Sequence, residues 1–181
     1  MNEGLIPNRY AKALYDFASE QNAAEGVYAE TQRLAASYTL QNDLAKAVEN
    51  PFLSVADKEN LLLAASGAAP TGCLGKFFKL VFSRGRESML PSMALAYGKM
   101  FREANNIAQV AITTASPLPK EAMAKIKDSV QSYLSGKKLE YTEAVDASLI
   151  GGFTVKVDSK LLDASISNEL RKLRLKLLSN K

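Results

Sequence analysis

Over most of the first hundred positions, apolar residues return at intervals of three and four, the period of helices with one buried face. Ile6, Tyr10, Ala13, Leu14 and Phe17 mark a first helix with Pro7 in its opening turn, and Val27, Thr31, Leu34 and Tyr38 mark a second. A short third carries Leu44 and Val48 and ends at "ENPF", where Pro51 disfavours helix at Asn50. Ser54 and Asp57 form a capping-box variant for a fourth helix through Leu61, Leu62 and Ala65. After the break "SGAAPTG", Thr71 precedes a fifth bearing Leu74, Phe77, Phe78, Val81 and Phe82. After "SRGRES" a sixth carries Leu90, Met93, Ala94, Tyr97 and Phe101.

The period changes near Asn105-Asn106. The β-branched run "IAQVAITTA", bounded by "SPLP", predicts a strand, and a helix follows from Pro119 with Met123, Ile126, Val130 and Tyr133 on one stripe. Leu139, Tyr141 and Val145 then alternate, as do Phe153, Val155 and Val157. Between these runs "DASLIGG" predicts a hairpin-like connection in which Gly151 and Gly152 supply positive φ or a bulge. "VDSK" turns the chain, Asp163 is the expected N-cap, and Ile166, Leu170, Leu173 and Leu177 stripe a last helix. The expected fold class is α+β, mainly α: an N-terminal six-helix bundle over residues 1–105 and a small C-terminal β-α-β-β-α domain over residues 106–181.

Composition narrows the function. A chain of 181 residues, 47% hydrophobic and 23% charged, holds one sizeable core or two small ones. No apolar run reaches the ~18–20 residues of a membrane span. The opening "MNEGLIPNRYAKALYDFA" has neither the apolar core of a signal peptide nor the character of a transit segment. The single cysteine, Cys73, excludes an intramolecular disulfide. With no histidine, Ser-His and Cys-His nucleophile pairs are impossible and the commonest metal ligand is missing. The net charge of +4 resides wholly at the end of the chain: Met1–Val155 balances 16 basic against 16 acidic residues, leaving seven basic and three acidic in Lys156–Lys181. That is not the distribution of a uniformly basic nucleic-acid binder.

The candidate motifs have plain structural explanations. "TGCLGKFF" offers the Gly75-Lys76 of a phosphate loop, but Pro70 stands at the first glycine position and Phe77 replaces the hydroxyl residue. Gly151-Gly152 leads into a strand, whereas phosphate loops leave a strand and enter a helix. "GGFTVKV" is faintly like the aromatic strand of RNA-recognition domains, yet Phe153 is alone and shares its side with Val155 and Val157, as core does. Arg171, Lys172, Arg174 and Lys176 suit the C-terminal end of a helix dipole. Asp146, Asp158 and Asp163 sit where turns and caps favour aspartate, so no catalytic constellation emerges. An apolar surplus remains on the first and fifth helices. Tyr10, Leu14 and Phe17 lie beside the small Ala11, Ala13 and Ala18, and Phe77, Phe78, Val81 and Phe82 cover a wide arc. Either all of these fill the bundle's interior, or some form a groove for an amphipathic helix.

Four stretches, "RYAKALYDFA" (Arg9–Ala18), "NPFLSVADKENLL" (Asn50–Leu62), "FFKLVFSRGRESMLPSMALAY" (Phe77–Tyr97) and "DASLIGGFTVKVDSKLLDASISNELRKL" (Asp146–Leu173), follow one another in a familiar order. The chain resembles, over essentially its whole length, the delta subunit family of the F-type ATP synthase, whose mitochondrial member is the oligomycin sensitivity-conferring protein. The last stretch, with Ile-Gly-Gly-Phe and a later Asp-x-Ser-Ile, is its most specific part. The resemblance implies a non-catalytic stator subunit, without catalytic, cofactor or metal residues. In such a subunit an N-terminal bundle receives the N-terminal helix of an alpha subunit between its first and fifth helices. Here that sets Tyr10, Ala13, Leu14 and Phe17 opposite Phe77, Phe78 and Val81. The C-terminal domain is implied to meet the b subunits of the peripheral stalk, with Leu170, Arg171, Arg174 and Leu177 as candidate contacts. It further implies one copy per complex, no nucleic-acid partner, and membrane association only through the complex, at the cytoplasmic face of the bacterial plasma membrane. An RNA-binding or general adaptor protein is the competing reading.

Overall fold

The computed structural model describes residues 4–134, 136–158 and 160–179. The chain divides into two compact units, Met1–Ala104 and Asn105–Lys181. It is mainly helical with a small four-stranded mixed sheet, an α+β protein. Among the described residues no helix is long and apolar enough to cross a membrane.

The first unit contains α1 (Leu5–Glu20), α2 (Ala24–Leu40), α3 (Asn42–Glu49), α4 (Val55–Ser66), α5 (Cys73–Ser83) and α6 (Leu90–Ala104), with a 3₁₀ turn at Glu87–Met89 before the last. Pro7 lies in the first turn of α1, where its missing N–H costs nothing. The α4 start agrees with its capping residues. Ser54 Oγ accepts a 3.1 Å bond from the Asp57 amide and donates at 2.6 Å to the Asp57 carboxylate. Gly67 ends the helix at φ 66°, the left-handed conformation of a helix stop. α5 begins at Cys73, behind Gly72, with no side-chain cap. The core gathers Leu14, Leu34, Leu62, Leu74, Phe78, Met93 and Tyr97. Within it the Tyr97 hydroxyl donates 3.0 Å to the Ala24 carbonyl, and Tyr28 stacks on Phe101 at 4.3 Å. Lys58, itself buried, reaches Glu87 at 3.8 Å and joins α4 to the 3₁₀ turn.

The second unit contains β1 (Ile107–Thr114), α7 (Lys120–Tyr133), β2 (Lys138–Val145), β3 (Gly152–Val157), β4 (Lys160–Ser165) and α8 (Ile166–Ser179), with a 3₁₀ turn at Ala147–Leu149. The sheet order is β2-β1-β3-β4, with β2 parallel to β1 and the other two pairings antiparallel. Val110, Ile112 and Val155 form the buried centre, against which Met123, Ile126 and Val130 of α7 pack together with Leu139, Tyr141, Phe153 and Val157.

Three sequence expectations need correction here. The order is β-α-β-β-β-α rather than β-α-β-β-α, because "KLLDAS" pairs as β4 where a turn and a helix cap were expected. Its two adjacent leucines and two charges break the alternation that marks a strand. Second, β2 and β3 are not hairpin partners but lie apart, β1 pairing with each. β1 buries Ala108, Val110, Ile112 and Thr114 along one face, so it takes the centre of the sheet and separates them. The hairpin joins β3 to β4 instead, and Ser159 in its turn lies outside the described residues. Third, Asp163 lies within β4, and the cap of α8 falls to Ser165, whose Oγ accepts 3.2 Å from the Asn168 amide. Asp163 supports that serine, accepting from its amide at 3.0 Å and its hydroxyl at 2.6 Å.

Candidate helix-binding surfaces

In the first unit, α1 packs against α5 and α6. Pro7, Ala11, Leu14 and Ala18 recur at helical spacing and are buried; Tyr10, Ala13 and Phe17 form the adjoining stripe. On that stripe Ala13 is exposed and the two aromatics are half-buried. On α5, Phe77, Phe78 and Val81 are buried while Leu80 is 45% exposed. The rings of Tyr10 and Phe77 meet edge-to-face at 6.3 Å, which closes the α1–α5 seam at one level. Cations lie over both outer aromatics. The Arg86 guanidinium stands 5.5 Å from the Tyr10 ring centre, and the Lys76 ammonium 5.6 Å from that of Phe17.

Beneath this seam Leu14, Phe77 and Phe78 border a void of only about 10 Å³, the size of a single water site at most. The residues expected to form a groove therefore separate into two layers. Leu14, Phe78 and Val81 are floor, packed into the unit's own core, and Phe77 is nearly covered. Tyr10, Ala13 and Phe17 are the part a guest can touch, together with Leu80, which is not among the residues expected from the sequence. The signal for it is present there: Leu80 lies three residues beyond Phe77, on the flank of the same apolar arc.

The second unit carries a larger apolar opening. A groove of about 680 Å³ runs between Ile126, Val130 and Tyr133 of α7 and Phe153, Val157 and Leu162 of the sheet. Tyr133, expected on the inward stripe of α7, is 77% exposed at its margin. Nearer β2 the helix is held by polar contacts. Lys127 bonds Glu143 at 2.6 Å and stands 5.1 Å from the Tyr141 ring centre, while the Tyr141 hydroxyl donates to the Lys127 carbonyl at 3.2 Å. These contacts hold α7 toward β2, and on the same face of the sheet Leu162 of β4 stays 62% exposed.

The last helix is apolar on the outside. Ile166, Leu170, Leu173 and Leu177 recur at intervals of four, three and four, a seam narrower than the stripe of a core-facing helix. Leu170, Leu173 and Leu177 are 52%, 55% and 76% exposed, so this seam is not buried against its own unit. Arg171 donates to Asn168 at 2.9 Å, Lys172 pairs with Glu169 at 3.0 Å, and Arg174 is exposed. At the root of the helix the Asp163 carboxyl is held below the usual carboxylate range, chiefly by the hydrogen bonds from Ser165 and further by the nearby Arg171 and Lys172 charges.

The conformation that seats this corner depends on Gly152. Its φ of 78° is open to glycine, and a Cβ there would run into the Ala164 carbonyl of the neighbouring strand. Among the described residues no cluster of His, Cys, Asp and Glu could hold a metal ion.

The family model described as ATP synthase delta (OSCP) subunit matches residues 6–177. The ATP synthase subunit delta of Parabacteroides distasonis is 33% identical over 181 residues, covering all of both chains. That of Flavobacterium johnsoniae is 33% identical over 169 residues, covering 93% of this chain and 94% of its own. That of Desulforamulus reducens is 31% identical over 179 residues, covering 99% and 98%. In fold, the chain is similar to one in a cryo-EM structure of the Toxoplasma gondii mitochondrial ATP synthase hexamer, with a TM-score of 0.73, 21% identity, and 95% and 97% of the two chains covered.

Proposed function

The chain belongs to the ATP synthase delta (OSCP) subunit family, which makes it a structural, non-catalytic subunit of the peripheral stalk, and from that premise we propose how its two units share the work. The first unit, with α1–α6 as a helical bundle, holds the catalytic head by seating the N-terminal helix of an alpha subunit along the α1–α5 seam. Tyr10, Ala13, Phe17 and Leu80 form the contact surface, and Leu14, Phe77, Phe78 and Val81 form the rigid floor beneath it. The second unit holds the b subunits of the stalk through the exposed seam of α8, with Leu170 and Leu177 as apolar contacts and Arg171 and Arg174 beside them. One copy per complex joins head to stalk, at the cytoplasmic face of the bacterial plasma membrane.

The observation that carries this reading is the apolar surface left exposed at Leu80 beside the α1–α5 seam and at Leu170, Leu173 and Leu177 along α8. A stator must resist the torque of each rotary step without doing chemistry, so it needs contacts that dissociate slowly. A few buried aromatic or leucine anchors supply about 2 kcal/mol each. Two such sites on one chain raise each other's effective concentration. Surface cations on α8 steer an acidic partner more than they hold it.

The test is capture by the tagged full chain from membranes stripped of the catalytic head and supplied with solubilised head. Recovery of alpha and beta chains, lost when Ala13→Asp is introduced, is the expected result. Nuclease-sensitive recovery of RNA without alpha chains would overturn the reading in favour of an RNA-binding or adaptor protein.

A further inference from the structure

Two open apolar surfaces of the second unit are joined by a single corner of chain: the groove between α7 and β4, where Leu162 is exposed, and the seam of α8. We propose that α8 is a hinged cover, which in the free subunit turns back at Ser165 and lays Leu170, Leu173 and Leu177 along the groove beside α7. The arrangement in this structure is the open position, with the seam presented outward.

The register of the two elements carries the inference. Ala164, Leu162 and Lys160 pair with Phe153, Val155 and Val157, so these three β4 residues stand on the sheet face that packs against α7. α7 does not reach that far, and Leu162 is left 62% exposed. A helix rises about 1.5 Å per residue and a strand about 3.3 Å. Measured back from Ser165, Leu170, Leu173 and Leu177 lie roughly 7.5, 12 and 18 Å along a reversed helix, while Ala164, Leu162 and Lys160 lie roughly 3, 10 and 16 Å along the strand. Leu170 then falls between Ala164 and Leu162 beside Phe153, Leu173 over Leu162, and Leu177 beyond it toward Val157 and Lys160. The 14-residue helix and the six-residue strand are also matched, at roughly 20 Å each. Closure would complete a two-helix layer over a four-stranded sheet, the ordinary way for such a face to be buried.

Few contacts set the present angle of α8, and closure exchanges them for the groove. Ile166 donates to the Gly151 carbonyl at 3.0 Å and its side chain rests against Gly151, while α8 otherwise packs mainly on β4 and the Ala147–Leu149 turn. Charge opposes closure, since Arg174 flanks the seam and Lys125 and Lys160 line the groove. The closed state is therefore held by apolar contact and gains from added salt. That a stalk helix captures the open seam rests on the proposed function above; the closure itself does not.

In the full chain with Cys73→Ser, which removes the one cysteine, Leu162→Cys is combined with Leu173→Cys, or with Leu175→Cys on the opposite side of the helix. Under mild oxidation the Leu173 pair is expected to form its disulfide about tenfold faster than the Leu175 pair, and faster still in high salt. Equal rates, or no bond in either, overturn closure. In the unsubstituted chain, methyl NOEs between Leu173 and Leu162 report the closed contact without any change to the core, and their absence overturns it too. The locked chain is then titrated with the cytoplasmic segment of a b subunit. At least tenfold weaker binding, restored by reductant, is expected if the seam is the stalk contact. Unchanged binding in a chain that does lock refutes the stalk reading of α8 and leaves closure standing.

Discussion

Two neighbouring residues on α1 separate the floor of the proposed head-binding surface from its contact layer, and substituting each with aspartate makes the distinction measurable. Leu14 is 3% exposed in the core, whereas Ala13 faces solvent. Truncating a buried leucine costs roughly 2–5 kcal/mol, and leaving an unpaired carboxylate in its place adds several more. A unit of about a hundred residues has a total stability of roughly 5–15 kcal/mol, so Leu14→Asp removes most or all of it. Ala13→Asp on the exposed stripe costs about 0.5 kcal/mol, mostly helix propensity. At the proposed contact, however, it sets a charge against an apolar guest, and the loss of about 2 kcal/mol corresponds to roughly thirtyfold in Kd. Circular dichroism melts and calorimetric titration with an alpha-subunit N-terminal peptide read the two effects separately. The expected result is a folded Ala13→Asp chain that binds weakly and a Leu14→Asp chain whose first unit does not fold. Full affinity in Ala13→Asp removes the α1–α5 seam as the binding site, and a parental melt in Leu14→Asp refutes the two-layer reading itself.

Further outcomes are expected elsewhere in the chain. Gly152→Ala forces a Cβ onto the Ala164 carbonyl at a φ that disfavours it, so hydrogen exchange in β3 and β4 accelerates while the amides of α1–α6 keep their protection. Tyr97→Phe removes the bond to the Ala24 carbonyl and lowers the stability of the first unit by about 1 kcal/mol in denaturant titration. The Asp163 carboxyl is held below its unfolded value, so its contribution is complete above an unfolded pKa of about 3.9 and lost as pH falls through the lower folded pKa. The amides of the first turn of α8 should therefore lose NMR protection below about pH 4, and Asp163→Asn should reproduce that loss at neutral pH.

How much the sequence revealed depends on whether local or distant forces decide each element. The helices of the first unit were legible because an amphipathic period, a serine cap at Ser54 and a glycine stop at Gly67 act within a few residues of each other. β1 was legible for the same reason, its β-branched run alternating into the core. The sheet order was not. Adjacency in sequence favours a hairpin between β2 and β3, but pairing is a competition for the strand with most to bury, and β1 wins it from both sides. β4 was missed because Leu161, Leu162 and Asp163 carry no alternation of their own; its partner β3 imposes the strand.

The same distinction governs the two candidate surfaces. A sequence pattern tells which residues are apolar and which share a helix face, but not whether the protein's own atoms or a partner's will cover them. On α1 and α5, the seven residues that stood together as one groove separate by depth, since Leu14, Phe78 and Val81 already have a full set of neighbours. On α8 the reverse holds. The stripe through Leu170, Leu173 and Leu177 is an apolar helix face by its spacing, yet no core meets it in this arrangement. A single exposed leucine is common, but three in register along one helix, beside an open groove of the same length, leave apolar surface that water disfavours. On the reading proposed above, that surface is covered by the chain itself before assembly and by a partner after it. A stator part that must stay soluble when free and bind tightly when assembled is best built from a seam that can exchange one cover for the other.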